Sequence, residues 1–208
     1  MRHDGRRPDQ LRSLTFQRRY TGMAPGSVLV RMGRTAVLCT CSVEIQRLIG
    51  RALRTVVDLG KLGERTLWID CDVLEADGGT RTASINGAFV ALVDALRNIA
   101  VRPVLPPLTP LPPLHDILRD SVAAVSVGLY EGQELLDLDY REDRDADVDL
   151  NLVMTGAGDI IEVQAGGEEA TFRRDQLDRL LELGRLGIDA ITRAQRGALG
   201  ADWPEPGI

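Results

Sequence analysis

Glu75-Ala76-Asp77-Gly78-Gly79-Thr80-Arg81-Thr82-Ala83-Ser84 is the stretch on which the fold turns. Before it, residues 66–75 read as a strand, with Leu67, Ile69, Cys71 and Val73 on one face. After it, residues 80–100 carry Ile85, Ala88, Phe89, Leu92, Val93 and Leu96 at helical spacing, a pattern for a deeply buried helix. A strand, two glycines and a helix start gather free backbone N–H groups, a hydroxyl and a guanidinium around one small volume. A bound phosphate needs those groups. The plainer reading is a turn in which Thr80 caps the helix and Arg81 is a solvated charge. From this stretch alone the plainer reading is favoured. The acidic cluster further along changes the weighting.

Working outward, residues 13–21 read as a strand, and 27–32 with 35–43 as a hairpin about Gly33-Arg34. Ile45, Leu48, Ile49, Ala52, Leu53, Val56 and Val57 then recur at helical spacing, up to a stop near Gly60. This junction is odd: a strand ending at Val43 enters a helix at about Glu44, where connections normally take ~2–6 residues. Residues 103–113 are proline-rich and predict an extended surface loop, a plain linker rather than a ligand for an aromatic groove. Residues 122–130 with 135–140, and 148–155 with 160–164, predict two more hairpins. Residues 173–199 predict an amphipathic helix, and 200–208 a frayed, flexible tail. Hairpins mixed with long helices give an α+β class in two layers, with residues 1–199 as one domain.

Composition narrows the function classes. The chain has 208 residues, 44% hydrophobic and 27% charged, with net charge −6. No apolar run approaches the ~18 residues of a membrane span, and no apolar segment follows the mixed-charge N-terminus. We therefore expect a cytoplasmic protein. Cys39, Cys41 and Cys71 form no disulfide framework and no Cys-x-x-Cys pair, and small buried apolar residues is the simplest reading for all three. The histidines are His3 and His115 alone, so a histidine base or a Ser-His-Asp triad is not expected. Net charge counts mildly against nucleic acid as partner. Its distribution does not: Arg2, Arg6, Arg7, Arg12, Arg18, Arg19, Arg31 and Arg34 crowd the start, which is compatible with a basic face.

The acids concentrate later, as Asp137, Asp139, Glu142, Asp143, Asp145, Asp147 and Asp149. Such a loop attracts divalent cations, although the glycine of a calcium-binding helix–loop–helix is absent. Asp145 and Asp147 read as solvated. Asp143, closing the loop, and Asp149, starting a rigid strand, are the candidate metal ligands. A phosphate cradle and a magnesium-type carboxylate pair point to chemistry at phosphorus, which needs in-line positioning and charge neutralisation more than a nucleophilic side chain.

These residues resemble the ribonuclease PH family of phosphorolytic exoribonucleases. The resemblance runs through Arg2-His3-Asp4-Gly5-Arg6, Pro8-Asp9-Gln10-Leu11-Arg12, Gly26-Ser27-Val28-Leu29-Val30 and Glu44-Ile45-Gln46-Arg47-Leu48-Ile49-Gly50-Arg51. It continues through Ala76-Asp77-Gly78-Gly79-Thr80-Arg81, Val125-Ser126-Val127-Gly128, Leu136-Asp137-Leu138-Asp139-Tyr140, Glu142-Asp143, Asp149-Leu150-Asn151 and Ile161-Glu162-Val163-Gln164. It implies the ribosomal-protein-S5-domain-2-like fold and a homo-oligomeric, hexameric ring built as a trimer of dimers. It implies attack of inorganic phosphate on the terminal phosphodiester of a tRNA precursor, with release of a nucleoside diphosphate; rRNA ends are a related substrate. Gly79, Thr80 and Arg81 would hold phosphate. Asp143 and Asp149 would hold magnesium or act as the acid beside it, making Arg81, Asp143 and Asp149 the catalytic set. Arg47 would face RNA.

One departure stands out. The resemblance implies roughly 45 further residues at the junction after Val43, far beyond an ordinary connection. That basic segment would carry a second phosphate-binding arginine, RNA-contacting surface and part of the ring interface. We expect the intact protein to contain it; the alternative is a chain that lacks it. Three functions then compete. The first is the exoribonuclease, the second a catalytically impaired RNA-binding ring subunit without the basic arm. The third, a small-molecule kinase, is disfavoured by the lack of a longer glycine-rich nucleotide loop.

Overall fold

The computed structural model describes residues 2–22, 24–42, 47–63, 65–101, 110–167 and 170–204. In the first half, β1 (Leu14–Arg18), β2 (Gly26–Met32), β3 (Thr35–Ser42) and β4 (Trp68–Glu75) form an antiparallel sheet in sequence order. Between β3 and β4 lie α1 (Arg47–Val56) and a short 3₁₀ turn, Leu59–Leu62. The long helix α2 (Thr80–Val101) follows β4. In the second half, β5 (Val122–Tyr130), β6 (Gln133–Leu136), β7 (Val148–Thr155) and β8 (Ile160–Gly167) form another antiparallel sheet, in the order β6-β5-β7-β8. Two short helices, α3 (Leu114–Ile117) and α4 (Tyr140–Arg144), precede β5 and β7, and α5 (Arg174–Leu199) ends the fold. The architecture is the expected α+β fold.

Each long helix meets both halves. α2 lies on β2 and β3 and reaches β5, while α5 lies on β5, β6 and β7 and reaches β1. One hydrophobic core therefore runs through both halves, from Val30 and Cys39 through Phe89 to Leu152 and Ile188. Close approach of α2 to β2 depends on Gly26, where an added Cβ would sit 1.9 Å from the Ala91 carbonyl oxygen.

Polar residues inside this core set the position of α2. β6 pairs with β5 only from Val127 to Tyr130, so the earlier part of that edge needs other partners. Asn86 supplies them: Nδ2 donates to the Ala124 carbonyl and Oδ1 accepts from the Ala124 amide, both at 2.8 Å. Gln195 of α5 adds donations to the carbonyls of Asn86 (3.2 Å) and Val122 (3.1 Å).

Several expectations need correction. Residues 137–140 do not continue β6: Asp137 adopts φ 57 and the chain turns into α4. Three of the N-terminal arginines do not contribute to a basic face, while Arg7, Arg19, Arg31 and Arg34 are exposed. Arg2, Arg6 and Arg12 are buried, because three acids of the later cluster meet them inside the protein. Arg12 is ion-paired with Asp137 at 2.7 Å, Arg6 with Asp139 at 3.4 Å, and Arg2 Nε donates to Glu142 at 2.7 Å. At the junction after Val43 this sequence itself carries no further segment. Four residues, 43–46, link β3 to α1 in a continuous chain, and their structure lies outside the described residues. Of the proline-rich stretch, residues 103–109 lie outside them too. Beyond α5, Gly200–Asp202 forms a 3₁₀ turn and Trp203 packs edge-to-face on Phe89, 6.1 Å between centroids; residues 205–208 lie outside the described residues.

Asn86→Ala leaves the buried Ala124 amide and carbonyl unpaired and is expected to cost about 2–4 kcal/mol of stability, read from the urea midpoint. The acid limb has a sign as well. Burial alone would raise the Glu142 pKa, but the hydrogen bonds from Arg2 and the Asp139 amide outweigh it and hold it below the ordinary 4.5. Its contribution is therefore present above about pH 4.5 and is lost as pH falls through the lower native value. Urea midpoints measured downward from pH 6 are expected to fall less steeply in Glu142→Gln than in the parent.

Candidate functional site

The glycine turn is held by its carbonyls. Gly78 and Gly79 both adopt positive φ, 78 and 63, which a β-carbon resists. A Cβ on Gly78 would also lie 2.6 Å from the Leu138 carbonyl oxygen. Thr35 Oγ1 donates to the Gly78 carbonyl at 2.7 Å and accepts from the Asp77 amide at 2.9 Å. The Arg12 guanidinium donates to the carbonyls of Asp77 and Gly78. Burial disfavours the Arg12 charge, yet the bond and charge of Asp137 raise its pKa, so it stays cationic.

α2 begins at Thr80, which places Gly79, not Thr80, at the cap position; the Ala83 amide donates to the Gly79 carbonyl at 2.9 Å. Glycine has no side chain to accept from the first-turn amides. Nearby hydroxyls are turned elsewhere, Thr82 Oγ1 to the Gly79 carbonyl and Ser84 Oγ to the Thr80 carbonyl. The helix start thus keeps its N–H groups and its positive dipole end for a ligand. Arg81 is exposed and Nη1 donates to Gln164 Oε1 at 2.9 Å.

Register shows where Arg81 reaches. Ser126, Asn151 and Gln164 lie opposite one another across β5, β7 and β8. On the neighbouring same-face rung, Gly128, Asp149 and Gly166 do likewise. Asp149 and the Gln164 that holds Arg81 are diagonal neighbours on one sheet face, a spacing of about 7–8 Å between backbones. Asp149 is half-buried, its carboxylate has no hydrogen-bond or ion-pair partner among the described residues, and glycines flank it on both sides. That donor suits a divalent cation or a proton.

Asp143 lies on α4, exposed, one element before Asp149. α4 is fixed by a capping box: Asp139 Oδ1 accepts from the Arg141 amide at 3.0 Å, and Glu142 Oε2 accepts from the Asp139 amide at 3.0 Å. Arg47 opens α1, and its side chain lies outside the described residues. Among the described residues, the one grouping of three possible metal donors is His3, Asp139 and Glu142, and its two acids are already engaged by Arg6 and Arg2. Cys39 and Cys41 are not poised as nucleophiles: burial pushes the Cys41 thiol up to about 12, and Cys39 is raised beside Cys71 and by burial.

Local sequence patterns do not assign Arg12, Asp137, Ser126 or Gln164 to the site. For Ser126 a signal existed, as the lone polar residue inside the apolar run of β5. For Arg12 and Asp137, 125 residues apart, no local pattern could pair them.

Comparison with known proteins places the chain in a family. Models of the 3′ exoribonuclease family match twice, domain 1 over residues 42–97 and domain 2 over residues 120–186. Ribonuclease PH of Corynebacterium efficiens is 43% identical over 244 aligned positions, covering 96% of this chain and 96% of that protein. Ribonuclease PH of Bacillus velezensis is 42% identical over 253 positions, covering 99% of each. Both alignments exceed the 208 residues of this chain, so these relatives carry residues that it skips. Among solved structures, rice Rrp46 superposes with a TM-score of 0.77 at 20% identity, covering 95% of this chain and 99% of that one, a likeness of fold. With this identity sustained along nearly its whole length, the chain belongs to the ribonuclease PH family.

Proposed function

We propose that this protein is a phosphate-dependent 3′→5′ exoribonuclease that removes nucleotides from the 3′ ends of tRNA precursors and releases nucleoside diphosphates. The observation that carries the reading is the uncapped start of α2, with Arg81 reaching the sheet face that holds the partnerless Asp149. Inorganic phosphate, the co-substrate, sits against the free amides at Gly79, Thr80 and Arg81 and is paired by the Arg81 guanidinium. So held, one phosphate oxygen is presented in line to the terminal phosphodiester. Its bond to phosphorus forms as the bond to the 3′ oxygen of the preceding nucleotide breaks.

Asp143 and Asp149 would hold magnesium or act as the acid beside it; the ion, when bound, would neutralise charge growing on the phosphoryl oxygens. The leaving 3′ oxygen needs a proton, which a protonated carboxyl of the pair not ligating the ion would supply. Arg47, at the start of α1, is assigned a contact to RNA by the family resemblance. We further propose a hexameric ring, a trimer of dimers, located in the cytoplasm. In support, the edge strands β4 and β8 leave Trp68, Val73, Leu74, Ile160 and Val163 exposed, and no described helix is long and apolar enough to cross a membrane.

A second reading, a catalytically impaired RNA-binding ring subunit, draws on one observation: the relatives align over up to 253 positions against 208 residues here. One assay separates the two. CCA-extended tRNA is incubated with magnesium, with and without inorganic phosphate. Nucleoside diphosphates formed only with phosphate establish the exoribonuclease; RNA retained without products establishes the scaffold. Arg81→Ala is expected to lower kcat/KM for phosphate by roughly 10²–10³-fold or more, through loss of a charged donor at the transition state. Asp149→Asn is expected to be inactive or indifferent to added magnesium in a magnesium titration of the same assay. Full activity in either variant overturns that residue's role.

A further inference from the structure

β5 is apolar along its length except at Ser126. That side chain is 5% exposed, and its Oγ has no hydrogen-bond partner among the described residues. A buried hydroxyl without a partner is unusual, since burial strips its water and nothing replaces it. The other hydroxyls near the turn are committed: Thr82 to the Gly79 carbonyl, Ser84 to the Thr80 carbonyl, Thr35 to the Gly78 carbonyl. Of these buried hydroxyls among the described residues, Ser126 is the uncommitted one.

Its location gives the missing partner a chemistry. A Cβ built on Gly79 would lie 3.7 Å from Ser126 Oγ, so the hydroxyl faces the underside of the cap residue of α2. On the other side, its rung runs through Asn151 to Gln164, the residue that holds Arg81. Ser126 therefore stands between the two components of the anion cradle, the uncapped helix start and the Arg81 guanidinium. The first-turn amides and the guanidinium are all donors. A hydroxyl can donate as well, and an anion is the ligand that all three satisfy at once.

We propose that Ser126 is a phosphate-binding residue, its Oγ donating to the inorganic phosphate held at the start of α2. The inference rests on the function proposed above and adds to it a ligand from the second half of the chain. Through Ser126, the sheet that carries Asp149 registers directly whether the phosphate is in place.

The experiment compares the full-length protein with Ser126→Ala, using inorganic phosphate as the probe. Two quantities are read: Tm without phosphate, and the phosphate dependence of both binding and turnover. Because Oγ makes no bond in the free protein, Ser126→Ala is expected to leave Tm unchanged or slightly higher. The Kd and KM for phosphate are expected to rise about tenfold, the loss of one hydrogen bond to a charged group. KM for RNA is expected to stay within about twofold, as no RNA contact is removed. Should the alanine variant fail to fold, Ser126→Cys keeps the volume and offers only a weak donor, and the same rise in phosphate Kd is expected. A parent protein that responds to phosphate and an alanine variant with the same Kd and KM overturn this inference alone. A lowered Tm with unchanged phosphate Kd identifies a structural hydroxyl and also overturns it. A parent protein indifferent to phosphate removes the proposed function and this inference together.

Discussion

The buried pair of Arg12 and Asp137 is the contact on which the site depends. The Arg12 amide and Nε both donate to Asp137 Oδ2, at 2.8 and 3.0 Å, while Nη2 donates to Oδ1 at 2.7 Å. Asp137 is fully buried, so its charge is tolerable only because those donors surround it. The remaining Arg12 donors take the carbonyls of Asp77 and Gly78. One side chain thereby joins the N-terminal segment, the end of β6 and the glycine turn. Since the turn's carbonyls are drawn inward to Arg12 and Thr35, its amides are left on the ligand side.

The same pairing explains the lopsided distribution of charge along the chain. Arginines at the start and acids after β6 are two halves of one buried network, in which Arg2, Arg6 and Arg12 meet Glu142, Asp139 and Asp137. Their charges cancel inside the protein rather than forming opposed faces outside. Buried ion pairs of this kind add little net stability but make wrong registers expensive, because any misplacement leaves an unpaired charge in a low dielectric. That property suits a segment whose task is to hold a turn.

The proposed site draws on both halves of the fold. Gly79, Thr80 and Arg81 lie at the β4–α2 junction, while Asp143, Asp149, Ser126 and Gln164 lie on the second sheet and α4. Neither half alone would place the proposed anion cradle beside a carboxylate. The link between them is rigid where it has to be: Asn86, less than two helical turns after Thr80, bonds both backbone groups of Ala124, one rung from Ser126. The two family domains thus mark halves of a single working unit.

Much of this was legible in the residues themselves. The glycine pair before a helical pattern, the continuous apolar run of β5, and the long periodicities of α2 and α5 each depend on neighbours a few positions away, and local sterics and periodicity decide them. The glycine turn, the acidic cluster and the family resemblance marked Gly79, Thr80, Arg81, Asp143 and Asp149 as candidates. The chain's own order could not say that Asp137 breaks β6, because the reason is Arg12, far off in sequence. Nor could it distinguish solvated acids from buried partners, since burial is a property of packing. Register across β5, β7 and β8 set Ser126, Asn151 and Gln164 side by side, and only the folded sheet makes neighbours of residues that distant. Sequence determined which groups were present and how each short segment folds; tertiary structure decided which charges cancel and which donors stay free, because both depend on long-range exclusion of water.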